Sequence, residues 1–131
     1  MKAEEFPKKL KYNKDYSWIS IQDEMAVIGV VGSAAKRIEE FIFINLPITG
    51  KNIKKGDNYV SLEAVKWSGH LSSPVSGDIV EVNNSLFEEP SKINKNPYGS
   101  WIMKVKLKNK DEIENLMNAN DAKKFYEEKL K

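Results

Sequence analysis

The chain contains no cysteine, so disulfides, thiolate metal sites and cysteine nucleophiles are all excluded. Any dithiol chemistry must be carried by an attached group. No apolar run approaches the roughly 20 residues needed to span a bilayer. The N-terminus, Met1-Lys2-Ala3-Glu4-Glu5, has no apolar segment of the kind a secretory signal requires. A cytoplasmic protein is expected, or one of an organelle matrix if the source is eukaryotic. There is one histidine, and a lone imidazole without thiolate partners is a poor metal site; no metal is expected. Charge of one sign is not concentrated anywhere. The 21 basic and 19 acidic residues are interspersed, without the basic stripe of a nucleic-acid binder. Neither a nucleic acid nor a membrane is an expected partner.

What is present is ordinary for a soluble globular protein: 40% apolar and 31% charged residues, with aromatics spread along the chain. A length of 131 residues is that of one domain, able to bury about two-thirds of its unfolded surface. Residues 1–11 are charged, carry Pro7, and read as a flexible lead-in; residues 12–131 read as the domain. Trp18 and Tyr16 open the first strand as packing aromatics. Gln22-Asp23-Glu24 is a polar turn, Met25 to Val31 a strand ended by Gly32, and Ser33 a cap for the short turn that follows. Phe41 to Leu46 is a strand closed by Pro47. Residues 48–57 are loop, with Gly50 and Gly56 as punctuation. Lys51, Lys54 and Lys55 form a solvated cluster there, because no glycine-rich cradle precedes a helix. Asp78 to Val82 resumes a strand. Trp101, Met103, Val105 and Leu107 alternate with lysines, the period of a half-buried strand. From Asp111 the period becomes helical through Ile113, Leu116, Met117, Ala122, Phe125, Tyr126 and Leu130. C-terminal helices are expected over about 111–130, with Asn120 as the cap between them.

The stretch Leu62-Glu63-Ala64-Val65-Lys66-Trp67-Ser68-Gly69-His70-Leu71 sits between strand-like flanks and predicts a hairpin over about 60–75. A turn at Lys66-Trp67 would set Glu63 opposite His70, although the Asn-Gly or Gly-containing pair of a tight primed turn is missing. Lys66 at such a tip has three readings: a plain surface lysine, a Schiff-base amine, or an acylation site. The Schiff-base role needs an amine pKa pushed down from ~10.4, whereas a solvated tip beside Glu63 would push it up. Acylation turns the ammonium into a neutral amide on a flexible stem, and an exposed tip lets different enzymes reach it.

Four ordered motifs carry a family resemblance. Glu63-Ala64-Val65-Lys66, followed by Pro74-Val75-Ser76-Gly77 eight residues after the lysine, resembles Glu-Ser-Val-Lys and Pro-Val-Ser-Gly of the glycine cleavage system H proteins. Tyr12-Asn13-Lys14-Asp15-Tyr16-Ser17-Trp18-Ile19 is similar to the family's Tyr-Thr-Lys-Glu-His-Glu-Trp-Val. Phe41-Ile42-Phe43-Ile44-Asn45-Leu46-Pro47 is similar to Ile-Val-Phe-Val-Glu-Leu-Pro. Ile93-Asn94-Lys95-Asn96-Pro97-Tyr98-Gly99-Ser100-Trp101-Ile102 resembles Val-Asn-x-Asp-Pro-Tyr-Gly-x-Gly-Trp-Leu, one glycine short and with Asn96 for the aspartate. The chain departs from the family in lacking its Asp-Tyr pair near Ser33. It also has Trp67 where the family has a small residue, His70 for an acidic one, and a slightly basic balance.

The resemblance implies a mainly β fold, a flattened lipoyl-type barrel or sandwich of two small antiparallel sheets with the C-terminal helices packed outside. It implies a non-catalytic, monomeric carrier with lipoate amide-linked to Lys66. Glu63, Val65, Trp67 and His70 would shape the tip that the lipoylating enzyme reads. The swinging arm would take an aminomethyl group from a pyridoxal-phosphate glycine decarboxylase to a folate-dependent aminomethyltransferase. Dihydrolipoamide dehydrogenase would re-oxidise it, and a lipoate ligase or lipoyl transferase would install it. Two alternatives stay open. One is an H-like lipoate-binding protein of another pathway, either sulfur oxidation with a heterodisulfide-reductase-like complex or lipoyl relay. The other is an unmodified binding module that has lost the cofactor. A biotinyl carrier uses a related hairpin, but its Met-Lys-Met flanks are replaced here by Val65 and Trp67.

Overall fold

A computed structural model describes residues 6–129. Two antiparallel sheets face one another. The larger has six strands: β1 (Lys11–Tyr12), β2 (Ser17–Gln22), β3 (Met25–Val30), β5 (Asn52–Ile53), β8 (Gly77–Val82) and β9 (Met103–Leu107). Their order is β1-β2-β3-β9-β8-β5. The smaller is β4 (Phe41–Asn45), β6 (Asn58–Ala64) and β7 (Trp67–Ser72), in the order β4-β6-β7. Among the described residues the helices are short except the last: α1 (Gly32–Arg37), α2 (Ser85–Glu88), α3 (Lys92–Lys95) and α4 (Ala119–Lys129). The expected β-rich fold of two sheets with C-terminal helical structure outside is the one observed.

The main core fills the space between the sheets with Ile19, Ile28, Ile44, Leu62, Leu71, Ile79, Met103 and Val105, all buried. β9 shows why the pattern works. Met103, Val105 and Leu107 point inward while Lys104 and Lys106 lie toward solvent, the strict period of two of a half-buried strand. Close approach in this sheet requires Gly77: a Cβ there would collide with the Lys106 carbonyl oxygen. Gly56, at φ 94°, takes the left-handed conformation that side chains disfavour, and its N–H donates to the Ser73 carbonyl, closing the base of the β6–β7 hairpin.

A second, smaller core joins the chain ends. Phe6, Leu10, Tyr12 and Trp18 pack with Ala119, Ala122 and Tyr126 of α4. The lead-in expected over residues 1–11 is therefore packed at Phe6 and Leu10, both buried; its first five residues lie outside the described residues, as does Leu130.

Two capping assignments need correction. The Asn118 side chain, not Asn120, accepts from the N–H of Asp121 at the start of α4; Asn120 is exposed within the helix. Ser33 caps nothing: α1 has no side-chain cap, and the buried Ser33 hydroxyl has no hydrogen-bond partner among the described residues. The segment before α4 is a 3-10 turn over Lys110–Asn115, capped by Asn109.

Candidate functional site

β6 and β7 form a tight hairpin with a two-residue loop, Val65-Lys66. Ala64 pairs with Trp67, Glu63 with Ser68, Leu62 with Gly69 and Ser61 with His70. The turn thus lies one residue earlier than the sequence suggests. Glu63 does not face His70; the two sit diagonally on the outer face, two pairs apart in the register. No residue of the loop has positive φ, so the turn is not of the primed kind, and β-branched Val65 is tolerated at the tip. That is why Asn-Gly is dispensable here. Lys66 is exposed, and its neighbour Val65 is 74% exposed. Among the described residues the Lys66 ammonium makes no ion pair.

Trp67 belongs to β7 and, paired with Ala64, faces inward rather than standing at the tip. Its indole packs at a tilt against Phe41, ring centroids 6.1 Å apart. It also lies over the bare α-carbon of Gly69, where a Cβ would come within 2.8 Å of the ring. The outward-facing residues of the hairpin are Glu63, Ser68 and His70, all exposed.

Beneath the inner face of the hairpin is a cavity of about 270 Å³. Its lining comes from Val30, Leu62 and Leu71 of the sheets, from Ala34, Arg37 and Ile38 in and just after α1, and from the aromatic residues Tyr16, Phe41 and Trp67. Arg37, the only arginine of the chain, is the only charged side chain in this lining. Each wall is anchored. The Asn94 amide donates to the carbonyls of Ala35 and Ile38, and its oxygen accepts from the Phe41 N–H. One side chain therefore holds the end of α1 against the start of β4. Tyr16 sits at φ 63°, a conformation costing about 1–3 kcal/mol for a non-glycine residue. It is held there by the Tyr126 hydroxyl, which accepts from the Tyr16 N–H at 2.7 Å and donates to the Asn13 carbonyl at 2.6 Å. Asp15 next to it accepts from the N–H of Ser72, tying this loop to the end of β7.

Of the residues singled out from sequence, Lys66 and Val65 share the exposed loop, Glu63 and His70 the outer face, and Trp67 the cavity. The cavity walls from Tyr16, Arg37 and Phe41 were not foreseen as part of the site. Their separation in sequence hides a proximity that only sheet packing creates, and the one available signal was that Arg37 is the sole arginine. Trp18 is buried, with its indole N–H donating to the Pro97 carbonyl, as a packing aromatic should be. Asn96 accepts from the Gly99 N–H through its amide oxygen. Among the described residues no three carboxylate or imidazole side chains are grouped to hold a metal ion, and no helix is long and apolar enough to cross a membrane.

The family model described as Glycine cleavage H-protein matches residues 10–129. The chain is 38% identical over 123 residues to a glycine cleavage system H protein of Carboxydothermus hydrogenoformans, covering 93% of this chain and 95% of that one. It is 36% identical over 116 residues to the glycine cleavage system H protein of Thermotoga maritima, covering 88% and 94%. The fold is similar to the crystal structure of a glycine cleavage system H protein from Mycobacterium marinum: TM-score 0.83, 26% identity, 95% of this chain and 98% of the other.

Proposed function

The chain belongs to the glycine cleavage H-protein family, and from that premise we propose that it is a non-catalytic lipoyl carrier whose attachment point is Lys66. The observation that carries the reading is the placement of Lys66: exposed in a two-residue loop, with an apolar cavity beneath the inner face of the same hairpin. The loop residues Val65 and Lys66 stand clear of the sheet, so a ligating enzyme can enclose them without disturbing core packing. Glu63 and His70 on the outer face, with Val65 at the tip, are the side chains such an enzyme meets first.

The residues present fit an amide-linked lipoyl group. Acylation removes the ammonium charge, after which the apolar lining of the cavity offers cover to the attached chain. When bound, the group supplies a disulfide that opens reductively to take up an aminomethyl fragment and is restored by oxidation. The protein's part is to present the arm and shield it. In this reading a monomer works in the cytoplasm with a glycine decarboxylase, an aminomethyltransferase, dihydrolipoamide dehydrogenase and a lipoate ligase or lipoyl transferase.

One observation favours a second reading in which the carrier is kept and the pathway changed. An aminomethyl amine is cationic, whereas the only charged side chain lining the cavity is Arg37; Glu39 and Glu40, just beyond α1, do not line it. An uncharged or anionic cargo, as in a carrier of sulfur oxidation, would meet no like charge there.

Intact mass and peptide mapping after incubation with lipoate and a lipoate ligase test the carrier itself. One lipoyl group on Lys66, absent in Lys66→Arg, is the expected result. No modification under conditions that lipoylate another H protein would refute the reading and leave an unmodified binding module. Adding glycine and a glycine decarboxylase to the lipoylated protein separates the pathways, because only the first predicts the further mass of an aminomethyl group.

A further inference from the structure

Directly after the lysine stands Trp67, which lines the cavity, and its environment is built to hold an indole. Pairing with Ala64 turns the side chain inward. Gly69, two residues along on the same face, leaves its α-carbon bare beneath the ring: a Cβ there would lie 2.8 Å from Cζ2 and 3.1 Å from Cη2. Phe41 meets the ring from β4, across the small Ala64 of β6, at 6.1 Å. Yet the residue remains 37% exposed, so part of its surface is left without a partner, beside the residue that carries the arm.

We propose that Trp67 is a positioning residue for the group on Lys66, the open part of its indole meeting the attached arm at the cavity's edge. The inference rests on the carrier reading above and adds to it the residue that governs how the arm meets the cavity. Three aromatic side chains, Tyr16, Phe41 and Trp67, converge on one small apolar space. Thioether, thiol and disulfide sulfurs make favourable contacts with aromatic rings, and the methylenes of an acyl chain gain by leaving water. Trp67 is the member of the trio adjacent to Lys66 in sequence and is partly exposed, so it can close over the arm without unpacking the core. Phe41, buried at 1% exposure, has no such freedom.

The test uses the lipoylated full chain, its modification confirmed by mass and its disulfide then reduced. Iodoacetamide alkylation of the two thiols is timed against free dihydrolipoamide and compared among wild type, Trp67→Phe and Trp67→Ser. Wild type should alkylate several-fold more slowly than the free compound. The serine variant should lose that protection and the phenylalanine variant should keep most of it. In parallel, the oxidised arm should quench an indole emission component that is absent from Trp67→Phe and restored by reduction. A full mass gain with equal alkylation rates in wild type and Trp67→Ser overturns the proposal while leaving the carrier intact. Absence of the mass gain overturns both, and is seen at the earlier step.

Discussion

The Trp67 indole lies across the α-carbon of Gly69, two residues further along the same strand, where an added Cβ would stand 2.8 Å from the ring. The neighbour that would have to yield is a half-exposed ring rather than backbone, so Gly69→Ala should fold. The indole would swing outward and lose its tilted contact with Phe41, a type of pair worth about 0.5–1.5 kcal/mol. Stability in urea should fall by about that amount. Iodide should quench the tryptophan emission more strongly than in wild type. Unchanged quenching would show that the ring does not rest on Gly69.

Asn94 joins α1 to β4 through three hydrogen bonds from one amide. Asn94→Ala would leave the Phe41 N–H and two carbonyls without those partners, and each unsatisfied buried group costs about 1–3 kcal/mol. Water can reach this partly buried site, so an overall loss of about 2–3 kcal/mol in chemical denaturation is expected. Asn94→Asp should be nearly as damaging, because a carboxylate accepts from Phe41 but cannot donate to the carbonyls of Ala35 and Ile38. An aspartate variant as stable as wild type would count against the donor role.

Much of this architecture was legible in local sequence pattern. The β9 alternation, the strand before Pro47, the glycine-marked loops and the lysine hairpin are all carried by residues close together in the chain. What eluded the sequence was governed by one-residue choices or by distant packing. The hairpin turn falls at Val65-Lys66 because an unprimed loop accepts ordinary side chains, so no glycine or asparagine marks it. Two asparagines, Asn118 and Asn120, offered the same capping chemistry two positions apart. The bulge between Phe41 and Phe43 leaves Ile42 and Phe43 exposed at 57% and 46%, against the expectation from apolar pattern. The cavity draws on loop, helix and both sheets, so no local window contains it.

The Ser33 hydroxyl is buried in α1 with no partner among the described residues. Removing an unsatisfied polar group relieves its desolvation cost, and alanine is also the better helix former. Ser33→Ala should therefore stabilise the fold by roughly 1 kcal/mol, read as a higher midpoint of thermal or urea unfolding. A loss of comparable size would mean that an ordered water or an alternative rotamer satisfies the hydroxyl.

Alkaline stability follows from three tyrosines. Tyr12 donates its hydroxyl hydrogen to the Pro7 carbonyl, Tyr126 donates to the Asn13 carbonyl, and Tyr59 shares a hydrogen bond with the Ser17 hydroxyl. Burial pushes all three phenol pKa values well above the ordinary one. The folded state thus keeps these protons at a pH where the unfolded chain releases them. Their contribution to stability is complete below the unfolded value of about 10 and is lost as pH rises above it, by up to about 1.4 kcal/mol per pH unit for each tyrosine. Since Tyr126 also holds Tyr16, which lines the cavity, in its left-handed conformation, the cavity should open with this transition. Phenolate absorbance and circular dichroism followed together through an alkaline titration provide the check. The three buried tyrosines should ionise only as the far-ultraviolet signal collapses, above pH ~10. Gradual ionisation of every tyrosine near that pH in a chain that keeps its fold would contradict the burial of these phenols.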